Sequence, residues 1–297
     1  MKNMSSKPIV TLVKSEDHYK GTINALQLIS DDIADSLRGK KNVLIKPNFV
    51  STRRQLATTH VDSVKAVLDV ITRYFNGKII IGEGPAIGNL KDGITNFGYE
   101  ILEDEYNVLF VDLNEDDYLE LEGVNSSLDP INLRFSKTLL ESDYLVSIAK
   151  PKTHDCVIAT LSLKNVVVGS LVSKREKEKI HQGTKAININ LAKLAKECIP
   201  SLGVVDGLFG MEGAGPVSGE PIKLGLCGAS LYPVSLDAVM AKVMGFEPLK
   251  IGYLYYLNDW GIGVADLDQI EVKGESISNV SVKFKPHPTY EEQCRWK

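Results

Sequence analysis

The chain has 297 residues, of which 43% are hydrophobic and 24% charged, and its formal net charge is −4. This length suits one large α/β domain or two smaller ones, and the composition is that of an ordinary globular protein. The acidic balance argues against general nucleic-acid binding, and no apolar run approaches the roughly 20 residues of a membrane span. The N-terminal MKNMSSKPIV lacks the apolar core of a signal peptide, so we expect a cytoplasmic protein without nucleic-acid or membrane partners.

The cysteines also exclude several classes of protein. Cys156, Cys198, Cys227 and Cys294 stand far apart, and no CxxC pair occurs. Zinc ribbons, thioredoxin motifs and ferredoxin-type clusters all need closely spaced cysteines. We therefore expect reduced thiols and no iron–sulfur cluster.

Predicted strands and helices alternate along the chain. Short runs rich in β-branched and apolar residues predict strands at 8–13, 42–45, 78–81, 107–113, 131–135, 144–149, 202–205, 223–227, 269–273 and 280–284. Apolar residues at helical spacing predict helices at 22–37, 61–75, 157–171, 187–198, 235–244 and 248–260. This alternation favours an α/β fold with a doubly wound, mostly parallel sheet and helices on both faces. We expect a single domain over 1–297, and a division into two lobes near 114–143 stays open.

The segments between these elements are polar. Residues 88–99 predict a loop or short helix, residues 173–185 a charged surface loop or short helix, and the last dozen residues a polar tail. A glycine-rich loop is predicted at 209–221, where glycines would let backbone N–H groups approach a ligand. This loop lacks the GxxxxGK[ST] pattern of a phosphate-binding P-loop. It is alternatively a rigid connector.

The most informative stretch is SIAKPKTHDCVIATLSLKNVVVG, residues 147–169. It places Lys150, Lys152 and His154 between a buried strand and a buried helix, and Lys164 inside that helix. A buried ammonium group is unfavourable unless an anion meets it, so these cations indicate an anion-binding site. The alternative is that the first two lysines are solvated loop charges and that Lys164 extends its ammonium group to solvent.

Further polar residues follow other predicted strands. Lys46 and Asn48 follow the strand at 42–45, Glu83 follows 78–81, and Asp206 follows 202–205. The carboxyl ends of parallel strands meet at one edge of a sheet, where α/β proteins bind ligands. We therefore expect Lys46, Glu83, Lys150, His154 and Asp206 to line one cleft.

These residues receive three kinds of candidate role. The catalytic candidates are His154, His60 and Lys164. The substrate-binding candidates are Lys46, Asn48, Lys150, Lys152, Thr160, Asn165, Gly213 and Gly215. The candidate metal ligands are Glu83, Asp206 and His181, although no HxH or HExxH spacing supports a metal site. Simpler alternatives remain for some of them: Glu83 caps a helix, His60 is an ordinary residue at a helix start, and Asp206 fixes a turn.

Several motifs together resemble a known family, the conserved domain of unknown function numbered 362, whose members are often described as iron–sulfur-centre proteins. The motifs are IKPNFV at 45–50, TTH at 58–60, GEG at 82–84, KPKTH at 150–154, TLSLKN at 160–165, VVDG at 204–207, EGAGPVSG at 212–219 and the helix with Asp237. The resemblance covers most of the chain and implies an α/β domain without a settled reaction. Many members carry a ferredoxin-like cluster domain, whose cysteine run this sequence lacks. The layout is also similar to that of the nickel-pincer lactate racemase family.

The sequence thus supports three hypotheses. The first is an enzyme that acts on a small carboxylate or phosphate by acid/base proton transfer, as an isomerase, racemase or lyase. The second is a metal or iron–sulfur redox protein, and a divalent metal is the cofactor that the histidines and carboxylates suggest. The third is a non-catalytic ligand-binding protein. The partner expected in each anion-binding case is a small anionic molecule, and a homo-oligomer is left open.

Overall fold

The computed structural model describes residues 7–297 and shows an α/β fold with a mostly parallel, mixed sheet. Its strands are β1 (Ile9–Lys14), β2 (Asn42–Lys46), β3 (Lys78–Glu83), β4 (Val108–Asp112), β7 (Tyr144–Ala149), β8 (Lys152–Thr153), β9 (Ala159–Thr160), β10 (Leu202–Glu212), β11 (Glu220–Ser230) and β12 (Glu271–Gly274). The order across the sheet is β12-β1-β11-β10-β7-β2-β3-β4, with β8 and β9 paired beside β10. The five strands from β10 to β4 run parallel, and β11 is antiparallel to both of its neighbours. A separate hairpin comprises β5 (Tyr118–Val124) and β6 (Pro130–Ser136).

Helices cover both faces of the sheet, as the sequence predicts. They are α1 (His18–Gln27), α2 (Ser30–Leu37), α3 (Val61–Tyr74), α4 (Leu90–Asn96), α5 (Ile101–Glu105), α6 (Lys137–Leu140), α7 (Ser162–Gly169), α8 (Ser173–Ile180), α9 (Thr184–Ala195), α10 (Pro233–Val243), α11 (Gly252–Asp259), α12 (Ile277–Val280) and α13 (Tyr290–Gln293). Along β2, Val43 and Ile45 enter the core formed with α1 and α3, whereas Leu44 enters the core formed with α7, α9 and α10. This alternation is the two-residue period of a strand buried on both faces.

Polar side chains gather at one edge of the sheet because the parallel strands end there together. All six residues of β7 are buried, and its predicted bounds are confirmed. Lys150 follows β7, Lys46 ends β2 and Glu83 ends β3, so three charged residues lie at the carboxyl ends of adjacent strands. The edge predicted from the sequence is therefore the edge that carries the polar residues.

Two predicted elements are wrong where a distant segment decides the local structure. The predicted helix 157–171 is shorter, because Thr160 pairs with Lys152 in the β8–β9 hairpin and α7 begins only at Ser162. The predicted loop 209–221 is strand at both ends, because Phe209 to Glu212 pair with residues 220–223 of β11, and only 213–219 form the turn.

The remaining predictions concern segments near the two ends of the chain and the charged segment 173–185. The predicted helix 22–37 divides into α1 and α2, and the predicted strand 280–284 has no strand conformation. The charged segment 173–185 contains α8, in which Glu176, Lys177 and Ile180 are buried. The predicted polar tail contains α13 and the buried residues Gln293 and Trp296. Within residues 7–297, no helix combines the length and the apolar character needed to cross a bilayer.

Candidate active site

The polar residues expected to share one cleft separate into two clusters. One surrounds a cavity of about 230 Å³ on the α7 side of the sheet. The predicted site residues that line this cavity are Asn48, Glu83, His154, Thr160, Lys164, Asn165 and His181. The other cluster contains Lys150, His60 and Asp206, which do not line the cavity. The expectation of a single cleft for Lys46, Glu83, Lys150, His154 and Asp206 is therefore met only in part.

A buried ion pair supports the inner end of the cavity. Lys46 Nζ lies 2.7 Å from Glu83 Oε2, and the two residues are 0% and 2% exposed. Burial lowers the pKa of Lys46, and Glu83 opposes that shift. The other oxygen of Glu83 accepts a hydrogen bond from the Gly84 amide at 2.8 Å. Glu83 is thus a partner for a buried lysine, and the helix-capping alternative is not what the structure shows.

Asn165 connects three elements of the site. Its Nδ2 donates to the backbone oxygen of Lys46 at 3.2 Å and to Ser147 Oγ at 3.1 Å. Its Oδ1 accepts from Asn48 Nδ2 at 3.1 Å. Asn48 in turn accepts a hydrogen bond from Lys152, which is fully buried. These amides are occupied by protein groups, so they fix β2, β7 and α7 relative to one another.

Lysines near the cavity are buried rather than solvated. Lys150 is 3% exposed and Lys152 is 0% exposed, so the solvated-loop alternative is wrong. The pKa of Lys152 lies well below its ordinary value because of burial first and of the neighbouring Lys150 and Lys164 second. Mutual repulsion among buried cations favours the approach of an anion.

Lys164 is the cation that faces the cavity without a partner. It is 6% exposed, and it has no hydrogen bond or ion pair with any residue in the described range 7–297. Burial lowers its pKa to about 8, and Asp155 opposes that shift. The nearby hydroxyl oxygen of Thr160 is also buried and unpaired within the described chain. Two unpaired polar groups therefore line the same small space.

His154 lies beside Lys164 and is neutral at physiological pH. Burial and then Lys164 lower its pKa to about 3. Its Nδ1 lies 2.8 Å from Asp155 Oδ1 and 3.0 Å from the Cys156 amide nitrogen. These two contacts require different tautomers. We assign the proton to Nδ1, because the contact with the Asp155 carboxylate is the shorter of the two and is charge-assisted. This leaves Nε2 of His154 as a free base.

His181 lies at the mouth of the cavity. It is solvent-exposed, and its ring centroid is 6.3 Å from that of His154, with an angle of 19° between the two rings. Its Nδ1 lies 2.6 Å from the backbone oxygen of Lys177, so Nδ1 carries the proton and Nε2 is again free. The second histidine of the cavity is therefore His181, and His60 lies in the other cluster.

The second cluster is centred on Asp206, on the α1 and α3 side of the sheet. Asp206 is fully buried and lies 2.8 Å from His18 Nδ1, 2.9 Å from Ser63 Oγ and 3.9 Å from Lys150 Nζ. Burial raises the pKa of Asp206, but Lys150 and His18 outweigh it and bring the value to about 2. His60 stacks on His18 with 4.1 Å between ring centroids. His60 is also the N-cap of α3, as the simpler alternative for that residue predicts.

The glycines of the β10–β11 turn shape the cavity indirectly. Gly213 has a φ of +71°, and a side chain at Gly215 would meet the Thr153 backbone oxygen at 2.3 Å. Neither glycine lines the cavity, but Pro216 and Val217 do. The glycines therefore let the turn approach β8, and the two apolar residues that follow close one wall.

The predicted metal ligands are not brought together. Glu83 binds Lys46, Asp206 lies in the other cluster and His181 is at the cavity mouth. Among the described residues, the group with metal-ligating atoms within 4.8 Å of one another is His154, Asp155 and Cys156. This group offers nitrogen, oxygen and sulfur donors, which is compatible with a metal ion.

Asp237 supports the site from outside the cavity. Its buried carboxylate accepts hydrogen bonds from the amides of Ser162 and Leu163, each at 2.9 Å, and so caps the N-terminus of α7. Burial raises its pKa to about 7 against those two hydrogen bonds. The predicted helix containing Asp237 begins at Pro233 rather than Ser235, and the carboxylate serves the neighbouring helix that carries Lys164.

The profile of the family described as domain of unknown function (DUF362) matches residues 43–242 of this chain. The chain belongs to the DUF362 family. The matched range contains both polar clusters except for His18, together with the capping residue Asp237. The resemblance identified from the sequence motifs is therefore confirmed.

Two known proteins are similar to this DUF362 chain. Thylakoid-associated protein sll1697 of Synechocystis sp. is 27% identical over 252 residues, which cover 82% of this chain and 76% of the relative. The lactate racemase apoprotein of Thermoanaerobacterium thermosaccharolyticum is similar in structure, with a TM-score of 0.50 and 17% identity. That match covers 77% of this chain and only 55% of the racemase, so the chain spans about half of that protein. At this identity the match shows a shared α/β fold.

Proposed function

We propose that this protein is an enzyme that binds a small carboxylate or phosphate in the cavity and transfers a proton to or from it, as an isomerase, racemase or lyase. The observation that carries the proposal is the unpaired, buried Lys164 beside the neutral base His154 in one cavity. A buried cation without a protein partner is stabilised when an anionic ligand supplies the missing charge. The lactate racemase of similar fold is itself an isomerase, which agrees with this class of reaction.

Lys164 is suited to bind the anion. With a pKa of about 8 its amine is still mainly protonated at pH 7, and Phe49, Val168 and Val217 give the cavity apolar walls. An ion pair is stronger in such a low-dielectric space than in water. The unpaired hydroxyl of Thr160 can donate a further hydrogen bond to the same anion.

His154 is suited to accept a proton once the anion is bound. Lys164 is one of the two main causes of its low pKa. An anion that neutralises Lys164 removes that contribution but not the larger one from burial, so the pKa of His154 rises in the complex and the ring becomes a stronger base. His181 lines the same cavity with its Nε2 unpaired, and after Nε2 takes up a proton from solvent it can return that proton to the substrate.

A hydrogen-exchange assay tests the proposal. Wild-type protein is incubated in D₂O with both enantiomers of a panel of small 2-hydroxy and 2-amino acids, and NMR follows deuterium incorporation at the carbon next to the carboxylate. Because the similar racemase acts on lactate, 2-hydroxy acids head the panel. We expect incorporation with wild-type protein and with Lys185→Met, which changes an exposed lysine, and none with Lys164→Met or His154→Gln. Anion binding without any exchange would instead identify a non-catalytic ligand-binding protein.

A metal-dependent activity is the second candidate, because the donor atoms of His154, Asp155 and Cys156 lie within 4.8 Å of one another. Nitrogen, oxygen and sulfur donors together suit a borderline divalent ion such as zinc, which would polarise a substrate oxygen. Elemental analysis and the visible spectrum of protein incubated with Co²⁺ test this candidate. A thiolate-to-cobalt absorption band that Cys156→Ser abolishes would support it, and stoichiometric iron with sulfide would support the iron–sulfur alternative.

A further inference from the structure

The loop that carries His154 is held by a residue from the far end of the chain. Residues 154–158 connect β8 to β9, and the amide of His154 donates to the backbone oxygen of Ile158 at 3.0 Å. In a regular antiparallel pair these two residues would exchange a second hydrogen bond, from the Ile158 amide to the His154 oxygen. Here the Ile158 amide and the His154 oxygen do not bond to each other, and the side chain of Gln293 lies between them and binds both.

The amide of Gln293 bridges both backbone groups. Its Nε2 donates to the backbone oxygen of His154 at 2.8 Å, and its Oε1 accepts from the Ile158 amide. The same Nε2 donates to Thr289 Oγ1 at 2.8 Å, and Thr289 Oγ1 donates to the backbone oxygen of Asp155 at 2.8 Å. The side chains of Gln293 and Thr289 therefore bind three backbone groups of the loop that carries the candidate base.

Burial and backbone conformation show that this arrangement is specific. Gln293 is 1% exposed, and a buried primary amide is tolerated only when its hydrogen-bonding groups are satisfied. Ile158 has a φ of +67°, a conformation that β-branched residues rarely adopt without support from their surroundings. The inserted amide binds this residue directly. Without it, the Ile158 amide and the His154 oxygen would be left without their partners.

From this geometry we infer that Gln293 is a positioning residue for His154, and that the C-terminal segment 289–293 is part of the active site. This inference rests on the proposed role of His154 as a base. The Gln293 amide sits between the backbones of His154 and Ile158 and sets the distance between them. This spacing fixes the direction in which the His154 ring points into the cavity. Within the His154 loop, Gln293 binds backbone groups only, and it takes no part in proton transfer.

Amide hydrogen exchange of the full-length protein without substrate tests the inference. Gln293→Leu keeps the approximate side-chain volume and removes every hydrogen bond. We expect the protection of residues 154–158 to fall by roughly tenfold, as loss of these bonds predicts, while protection of the central strand β7 is unchanged. The control is Trp296→Phe, which removes a 2.7 Å hydrogen bond from the same tail to Lys250 and should leave 154–158 protected. Equal loss in both variants, or no loss in Gln293→Leu, would overturn the inference.

A second variant gives a readout that general destabilisation would not produce. In Gln293→Glu the introduced carboxyl group can accept from Ile158, but it can donate to His154 only when it is protonated. We expect the protection factor of 154–158 to rise as the pH falls through the pKa of that group, with no such dependence in wild type. A protection factor independent of pH would contradict the inference, including when Gln293→Leu fails to fold.

Activity gives the last comparison. If wild-type protein exchanges substrate hydrogen, Gln293→Leu should lower kcat by roughly tenfold or more with little change in KM, because anion binding by Lys164 is retained. A raised KM with an unchanged kcat would contradict a positioning role. The exchange measurements on the protein need no substrate, so they decide the role of Gln293 even if the proposed function fails.

Discussion

Replacement of Lys164 by methionine should stabilise the folded protein while it abolishes anion binding. Methionine keeps the unbranched apolar stem and removes the buried charge. Burial lowers the pKa of Lys164 from 10.5 to about 8, and each pKa unit corresponds to about 1.4 kcal/mol. Holding this charge in the folded protein at pH 7 thus costs about 3 kcal/mol, and we expect Lys164→Met to raise the free energy of unfolding by about 2–3 kcal/mol.

The pH dependence of the free energy of unfolding tests independently whether the charge of Lys164 destabilises the folded protein. Between pH 8 and 10.5 the unfolded chain keeps the Lys164 proton and the folded chain has lost it, so wild-type stability rises with pH across this window. Lys164→Met lacks that rise, and the difference between the two proteins should shrink as the pH approaches 10.5. Urea unfolding at several pH values measures this difference in the free energy of unfolding. The control is Lys185→Met, which changes an exposed lysine and whose free energy of unfolding should lie within about 0.5 kcal/mol of wild type.

A loss of stability would refute this reasoning. If Lys164 were a structural partner of a buried carboxylate, its removal would leave that carboxylate unpaired and lower stability by about 3–5 kcal/mol. Such a loss, with anion-induced thermal stabilisation retained, would show that Lys164 does not bind the ligand.

Three other predictions follow from the same contacts. Glu83→Gln strands the buried Lys46 ammonium and should lower the free energy of unfolding by about 3–5 kcal/mol, which the double change with Lys46→Met should largely restore in urea unfolding. Asp237→Ala leaves two buried amides of α7 unpaired and should lower stability by about 2–4 kcal/mol, with faster amide exchange at Ser162 than in wild type. With its pKa at about 3, His154 should stay neutral from pH 8 down to pH 5 in imidazole NMR titrations of the ligand-free protein, and a midpoint between those values would contradict its burial.

The strands and their polar ends could be predicted from local sequence. The run at 144–149 is uniformly apolar and ends at Lys150, so both the bounds of β7 and the position of that lysine follow from the pattern. The burial of Lys164 follows in the same way from the apolar residues around it. These signals are local because a strand buried on both faces needs a continuous apolar run.

The residues that complete the site depend on contacts between distant segments. Asp237 caps α7 from 75 residues away, and Gln293 binds the His154 loop from 139 residues away. His18 binds Asp206 across 188 residues, so nothing near it in the chain marks it as a site residue. The division of the strand-end residues into two clusters also needed the structure, because successive residues of a strand point to opposite faces of the sheet. Lys46 and Lys150 thus lie on different sides of the sheet, although Lys46 ends β2 and Lys150 follows the adjacent strand β7.

An NMR titration with a small carboxylate tests the central claim most directly. Side-chain amine signals of lysine and imidazole signals of histidine are followed in wild-type protein and in Lys164→Met as acetate or lactate is added. We predict that Lys164 and His154 shift together with one dissociation constant, that the pKa of His154 rises on binding, and that Lys164→Met abolishes both changes. Shifts confined to His18, His60 and Lys150 would contradict the account, because they would place the anion in the Asp206 cluster on the opposite face of the sheet.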